Sequence, residues 1–88
     1  MPKYNTVMIT GASEGIGRSF AETFAKKGHD LVLVARNADK LQELSIELKE
    51  KYAIEAHVFA TDLIPVGAAK TLFEDIAKKD ITIDILVN

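Results

Sequence analysis

Residues 10–17 read Thr-Gly-Ala-Ser-Glu-Gly-Ile-Gly and place three glycines between two unlike segments. The apolar run Val7-Met8-Ile9 precedes them, and an amphipathic run from Arg18 to Lys27 follows. This order predicts a buried strand, a tight turn and a helix. Glycine carries no side chain that would keep a ligand away from the backbone. Because the first amide N–H groups of a helix can face an anion and the helix dipole adds to the attraction, the turn is a candidate phosphate-binding site.

Strand-like and helix-like segments alternate along the whole chain. The predicted strands are residues 7–10, 31–35, 55–61 and 83–87, and the predicted helices are residues 16–27, 39–51 and 66–79. Parallel neighbouring strands need crossover connections of about a dozen residues, and helices of that length separate these strands. Right-handed crossovers then give the strand order 3-2-1-4. The sequence therefore predicts an α/β fold, a three-layer sandwich of the Rossmann type that is half of a doubly wound sheet.

Apolar stripes on the three predicted helices assign the core. The stripes contain Ile16, Phe20, Phe24, Ala21 and Ala25 in the first helix, Leu41, Leu44, Leu48 and Tyr52 in the second, and Ala69, Leu72, Phe73, Ile76 and Ala77 in the third, with Pro65 in the first turn of that helix. Two helices are expected on one face of the sheet and one on the other. The fourth strand is then an unpaired apolar edge, which predicts that the isolated chain self-associates or is only marginally stable.

Composition argues against several classes of function. The chain has 88 residues, a net charge of −2 and no cysteine, which does not favour a nucleic-acid partner and excludes disulfides and thiolate metal sites. His29 and His57 have no metal-like spacing, so no metal site is expected. The longest apolar run, Leu31 to Ala35, is too short to span a membrane, and residues 1–5 lack the apolar core of a signal peptide. We expect a cytoplasmic protein with no membrane partner.

The spacing of the glycines, Gly-x-x-x-Gly-x-Gly, leaves two interpretations open. It differs from the commoner dinucleotide fingerprint Gly-x-Gly-x-x-Gly and from a Walker loop, since no Gly-Lys-Ser/Thr follows. Three glycines also suit an ordinary tight turn that binds nothing. Position favours the functional interpretation, because the turn joins the first strand to the first helix, where a dinucleotide fingerprint lies.

Four separate segments match one protein family in the expected order. Residues 10–17 match its Thr-Gly-x-x-x-Gly-x-Gly loop, residues 34–37 with Lys40-Leu41 match the end of its second strand, and Thr61-Asp62-Leu63 matches the end of its third. Residues 83–88 match its fourth strand, which continues in the family into Asn-Ala-Gly. The whole chain resembles the N-terminal, NAD(P)-binding half of the short-chain dehydrogenase/reductases. The resemblance implies that residues 1–88 are the N-terminal part of one dinucleotide-binding Rossmann domain, with no second domain.

The resemblance implies a role for each residue of the glycine loop. Gly11 shapes the turn, Gly15 lets the pyrophosphate approach the backbone, and Gly17 lets the helix pack close to the strand. Ile16 donates its backbone N–H to a phosphate. Ser13 reaches a phosphate or the ribose, or else its hydroxyl satisfies an amide of the loop, and the sequence does not separate these alternatives.

Arg36 lies 19 residues after Gly17, near the place where a dinucleotide site reads the ribose 2′ position. An acid there accepts the 2′-OH of NAD, whereas an arginine pairs with the 2′-phosphate of NADP. Neither Ala35 nor Arg36 is an acid, which favours NADP over NAD, and a solvated arginine that ends a strand is the alternative. Glu14 counts against NADP, because members of the family that prefer NADP often carry a basic residue there and an acid repels a phosphate.

Three further cofactor contacts follow from the resemblance. Asp62 accepts a hydrogen bond from the adenine amino group, or else it is a turn residue before the next helix. Leu63 flanks the adenine ring. Asn88 matches the first asparagine of the family's Asn-Asn-Ala-Gly segment and contacts the cofactor ribose.

The resemblance also implies an activity whose catalytic residues are not in this sequence. Members of the family transfer hydride between a nicotinamide and a carbonyl or alcohol, using a serine and a Tyr-x-x-x-Lys pair. Here Tyr4 is followed four residues later by Met8 and Tyr52 by Ala56, so the 88 residues are expected to be inactive alone. In the complete enzyme we expect a homo-oligomer with a small-molecule carbonyl or alcohol substrate, similar to reductases of ketone-containing or acyl substrates. A non-catalytic nucleotide-binding module is the alternative.

Overall fold

The computed structural model describes residues 5–62 and 66–87, which alternate between strands and helices as predicted. The elements are β1 (Thr6–Thr10), α1 (Gly15–Lys26), β2 (Asp30–Ala35), α2 (Ala38–Tyr52), β3 (Ala56–Ala60), α3 (Ala68–Lys78) and β4 (Ile85–Val87). Neighbouring strands are parallel, and the strand order is β3-β2-β1-β4. The predicted α/β class and strand order are confirmed. Within the described residues, no helix combines the length and the apolar character needed to cross a membrane.

The sheet separates two apolar clusters, because successive side chains of a strand point to opposite faces. Val7, Ile9, Leu31 and Leu33 share one cluster with α1 and α2, whereas Met8, Val32 and Val34 share the other with Leu72 and Ile76 of α3. The predicted stripe of α2 is confirmed, with Leu41, Leu44 and Leu48 buried and Tyr52 half-buried. Two helices therefore lie on one face of the sheet and one helix lies on the other, as the sequence predicts.

The buried face of α1 differs from the predicted stripe. Ala21 and Ala25 are fully buried against the sheet, whereas Ile16 and Phe20 are 76% and 41% exposed. Phe24 is half-buried, and its ring stacks on that of Phe20 with 6.4 Å between the ring centroids. Small side chains let the helix backbone approach the strands, so the larger ones lie on the flank of the helix. The predicted periodicity is correct, but the buried face is centred on the alanines.

The predicted stripe of α3 is only partly buried. Leu72 and Ile76 are buried, whereas Ala69, Phe73 and Ala77 are exposed. The buried stripe is narrow because α3 has no neighbouring helix on its face of the sheet within the described residues. The helix begins at Ala68 rather than at residue 66, since Gly67 at the N-cap has a φ of +85°, outside the helical region. Pro65 lies outside the described residues.

β4 is an edge strand, and it begins later than predicted. The carboxylate of Asp84 accepts a hydrogen bond from the N–H of Thr6 (2.9 Å), and the N–H of Asp84 donates to the carbonyl of Thr6 (3.0 Å). Because the carboxylate takes the place of a backbone acceptor, regular pairing starts at Ile85, opposite Val7. Within the described residues β4 pairs with β1 alone, and Leu86 is 51% exposed. The described sheet therefore ends on an apolar edge.

The turn after β1 folds back against the start of α1. A Cβ placed on Gly17 would lie 2.2 Å from the carbonyl oxygen of Gly11 and 3.1 Å from the Cα of Ala12. The first distance is too short for any side chain and the second is a tight contact, so the helix or the turn would have to move to accept a side chain. Glycine at position 17 thus sets the distance between α1 and the loop that follows β1.

Replacement of Gly17 by alanine tests this packing. We expect Gly17→Ala to lower the free energy of unfolding by roughly 1–3 kcal/mol, the usual cost of overpacking, even though alanine has the higher helix propensity. Ser19→Ala, at an exposed position of the same helix, is the matched control and should change stability by less than about 0.5 kcal/mol. Chemical denaturation gives both values. Equal stability of Gly17→Ala and the parent protein would show that the loop moves at no cost.

Residues 1–88, produced as a separate polypeptide, are expected to self-associate through the edge of β4. Leu86→Lys places a charge on this edge and should shift the polypeptide toward the monomer. Ile46→Lys is the matched control, since Ile46 is 53% exposed on α2 and lies away from the edge. Sedimentation velocity at several concentrations measures the association. A well-behaved monomer that unfolds cooperatively, or equal effects of the two substitutions, would disprove the role of the edge.

Candidate functional site

A cleft lies at the carboxyl ends of β1, β2 and β3. Its volume is about 870 Å³, and its walls are formed by Gly11, Ser13, Glu14, Val34, Ala35, Arg36, Asn37, Thr61 and Asp62. These residues lie in the loop after β1, at the end of β2 and just after it, and just after β3, and they meet because parallel strands end at the same edge of a sheet. The cleft is therefore at the place where doubly wound sheets bind their ligands.

Two backbone hydrogen bonds join the residues after β1 and β3 to the end of β2. The N–H of Ala12, just after β1, donates to the carbonyl of Val34 near the end of β2 (3.2 Å). The N–H of Thr61, just after β3, donates to the carbonyl of Ala35 (2.9 Å). The loops around the cleft are thus extensions of the sheet, and the side chains that line it start from backbone that the sheet fixes.

The glycine loop presents bare backbone to a ligand. Gly11 and Gly15 have φ values of +66° and +56°, a region that residues with a side chain rarely adopt. A Cβ on either residue would meet no atom within 4 Å, so the space beside them is open. Glu14 is the N-cap of α1, and no side chain caps this helix. The first amides of α1 are therefore available to an anion, which fits the pyrophosphate of a dinucleotide.

Arg36 directly follows β2, and its exposed side chain belongs to the wall of the cleft. Among residues 5–62 and 66–87, it forms no hydrogen bond or ion pair. A guanidinium holds several N–H donors in one plane, an arrangement that suits a phosphate. Arg36 is therefore a cation in the wall of the cleft with no partner among the described residues, at the position where a dinucleotide site is expected to read the ribose 2′ group.

Glu14 forms an ion pair with Lys40 of α2. The hydrogen bond and the positive charge of the Lys40 ammonium hold the pKa of the Glu14 carboxyl below its ordinary value of 4.5. The N–H of Lys40 donates to the side-chain oxygen of Asn37, which caps α2 (3.0 Å). Sequence reasoning missed this pair, although an asparagine before a helix is a capping signal that locates the start of α2. Of the two acids in the wall of the cleft, Glu14 and Asp62, Glu14 is therefore paired with a cation.

The other predicted site residues divide between the cleft and its surroundings. The half-buried residues Ser13 and Asp62, for which the resemblance implies cofactor contacts, belong to the wall of the cleft. Gly15 and Ile16 do not line this cleft, and they border a neighbouring pocket along α1 instead. Gly17 lies against the backbone of the loop, and Leu63 and Asn88 lie outside the described residues.

The two histidines are not among the residues that line the cleft. The ring nitrogen Nδ1 of His29 lies 3.1 Å from the carbonyl oxygen of Asn5, and the ring packs edge-on against Phe24. His57 is half-buried in β3. In the parts of the chain that the structure describes, no group of three or more histidine, aspartate or glutamate side chains is arranged to hold a metal ion.

Comparison with known sequences gives one family. The short chain dehydrogenase family matches residues 5–88. The human very-long-chain 3-oxoacyl-CoA reductase is 39% identical over 83 residues, which cover 92% of this chain and 25% of that protein.

Solved enzymes of the same family share the fold. An L-sorbose reductase from Gluconobacter frateurii, solved with NADPH and L-sorbose, matches 98% of this chain and 33% of its own, with a TM-score of 0.89 and 38% identity. A short-chain dehydrogenase from Sphingobium yanoikuyae in complex with NADPH matches 93% of this chain and 32% of its own, with a TM-score of 0.83 and 39% identity. The chain thus spans about a quarter to a third of the length of these relatives. With the parallel sheet and the glycine loop, these matches show that the chain belongs to the short-chain dehydrogenase family, as its N-terminal Rossmann half.

Proposed function

We propose that the chain is the cofactor-binding part of an NADP-dependent oxidoreductase that transfers hydride between the nicotinamide and a carbonyl or alcohol substrate. Membership of the family supports NAD(P)-dependent oxidoreduction. The observation that favours NADP is the unpaired guanidinium of Arg36 in the wall of the cleft. Two of the solved relatives were determined with NADPH, which is consistent with this preference.

The proposed cofactor lies along the carboxyl edge of the sheet, with its adenosine end at β2 and β3. Its pyrophosphate is bound by the open backbone at Gly15 and by the first amides of α1, including that of Ile16. Arg36 pairs with the 2′-phosphate, and Asp62 accepts a hydrogen bond from the adenine amino group. Ser13, which is also in the wall of the cleft, reaches a phosphate or the ribose.

The remaining proposed roles concern the shape of the glycine turn and the contacts with the adenine and the ribose of the cofactor. Gly11 and Gly17 shape the turn and its packing, as their φ value and close backbone contact indicate. Leu63 beside the adenine and Asn88 at the ribose stay predictions from the family resemblance.

The bound nicotinamide supplies or accepts the hydride. Residues 1–88 contain no Tyr-x-x-x-Lys pair, so we propose that this part of the enzyme binds and orients the cofactor and is inactive by itself. The names of the human reductase and of the sorbose reductase both indicate reduction of a ketone, so we propose a ketone-containing substrate for the complete enzyme. A homo-oligomeric state, a single domain and a cytoplasmic location stay predictions.

The substitution Arg36→Asp tests the preference for NADP. It removes the proposed partner of the 2′-phosphate and adds an acid that can accept the 2′-OH of NAD. We expect NADPH binding to the full-length protein to weaken roughly ten- to a hundredfold, the loss expected for hydrogen bonds to a charged group. NADH binding should stay the same or improve. Nucleotide fluorescence titrations measure both dissociation constants.

Arg18→Asp is the matched control, because it makes the same change of charge at an exposed position of α1, outside the cleft. It should leave the ratio of the two dissociation constants unchanged. An unchanged ratio in Arg36→Asp would place the 2′-phosphate elsewhere. If the parent protein binds NADPH but shows no hydride transfer to any ketone or from any alcohol, a non-catalytic nucleotide-binding module is the better description.

A further inference from the structure

Glu14 occupies a position where its charge opposes the proposed ligand. Its side chain belongs to the same cleft wall as Arg36. An unpaired carboxylate there would repel a 2′-phosphate and weaken the attraction of the guanidinium, since charges near a protein surface interact more strongly than charges in bulk water. The structure places the ammonium of Lys40 on this carboxylate.

We propose that Glu14 and Lys40 act as one unit, in which Lys40 neutralises the acid of the glycine loop and thereby lets the cleft accept a 2′-phosphate. The inference rests on the proposed NADP-dependent function. It makes Lys40 a residue that determines cofactor specificity through Glu14, without contacting the phosphate.

The start of α2 explains how Lys40 reaches Glu14. Asn37 caps the helix through its hydrogen bond with the N–H of Lys40, which fixes the backbone of Lys40 in the first turn. Arg36 lies on the other side of this cap, directly after β2. One helix start thus carries two cations, one in the wall of the cleft and one on the acid of the glycine loop.

A second Glu–Lys pair between the same helices provides an internal comparison. The carboxylate of Glu22 in α1 lies 3.3 Å from the ammonium of Lys51 in α2. Both pairs are exposed, and exposed ion pairs contribute little to stability. Only the pair of Glu14 places its acid in the wall of the cleft. An effect on ligand binding is therefore expected from this pair and not from the pair of Glu22.

The pKa of Glu14 provides a first check. Because the pKa of this carboxyl is lowered by Lys40, Lys40→Met should raise it toward its ordinary value of 4.5. The pKa of Glu22, which Lys51 lowers, should not change. A lowered pKa in the folded state means that the stabilisation by the pair is present above pH 4.5 and is lost as the pH falls through the lowered pKa. Carbon-13 NMR titration of the carboxyl groups measures both values, and an unchanged pKa of Glu14 would show that the pair does not form.

A double-mutant cycle in the full-length protein tests the proposal, with 2′,5′-ADP and 5′-AMP as probes. The probes differ only in the 2′-phosphate, so the ratio of their dissociation constants isolates this group. Lys40→Met should weaken binding of 2′,5′-ADP about tenfold and change that of 5′-AMP little. Glu14→Gln should bind 2′,5′-ADP as tightly as the parent or more tightly. The double variant should regain the affinity of the parent, because the carboxylate that Lys40 neutralises is then absent.

Each other outcome overturns a stated part of the proposal. A double variant as weak as Lys40→Met would show that Lys40 contacts the phosphate directly. If the parent protein binds NADPH tightly and Lys40→Met does not weaken this binding, the proposed NADP function is retained and the proposed role of Lys40 is wrong. A parent protein that binds neither NADPH nor NADH would overturn the proposed function and this inference with it.

The Glu22 pair supplies the matched controls. Glu22→Gln and Lys51→Met remove a similar ion pair outside the cleft and should leave the ratio of the two dissociation constants unchanged. Circular dichroism of each variant verifies that it is folded. An equal change in the ratio from Lys51→Met and Lys40→Met would attribute the effect to the packing of α1 on α2, against the proposal.

Discussion

The close contact between Gly17 and the carbonyl of Gly11 is the constraint on which the cleft depends. With no Cβ at position 17, the first turn of α1 lies directly against the loop that leaves β1. The same loop is fixed on its other side by the hydrogen bond from Ala12 to Val34. The amides at the start of α1 and the residues that end β2 are therefore held in one frame. A ligand that bridges them meets a preformed site, which lowers the entropic cost of binding.

The strand order and most of the cleft could be predicted from the sequence, because both follow from connectivity. Crossover helices require parallel strands, and parallel strands bring Gly11, Arg36 and Asp62 to one edge of the sheet. The buried face of α1 could not be predicted in this way. Periodicity identifies an apolar stripe but not how close the helix lies to the sheet. Here the glycine turn brings α1 so close to the sheet that the small side chain of Ala21 is buried between them, whereas the ring of Phe20 is not.

The Glu14–Lys40 ion pair could not be predicted from the sequence for a different reason. Its members are 26 positions apart and belong to different elements, so no local spacing connects them. They meet because α1 and α2 begin at the same edge of the sheet and lie side by side on one face. An unpaired acid would count against a phosphate, and the sequence alone could only treat Glu14 as unpaired.

An acid in a glycine loop is therefore no argument against a phosphate by itself. Its effect depends on the residue that the second helix presents to it, and that residue is set by where the second helix begins. Here the cap at Asn37 places Lys40 in the first turn of α2 and leaves Arg36 before it. A shift of that cap by one residue would turn the side chain of Lys40 by about 100° around the helix axis and away from Glu14. Under the proposed NADP-dependent function, the cofactor preference of the cleft is a joint property of two helix starts, and the residues that begin α2 matter to it as much as the glycines do.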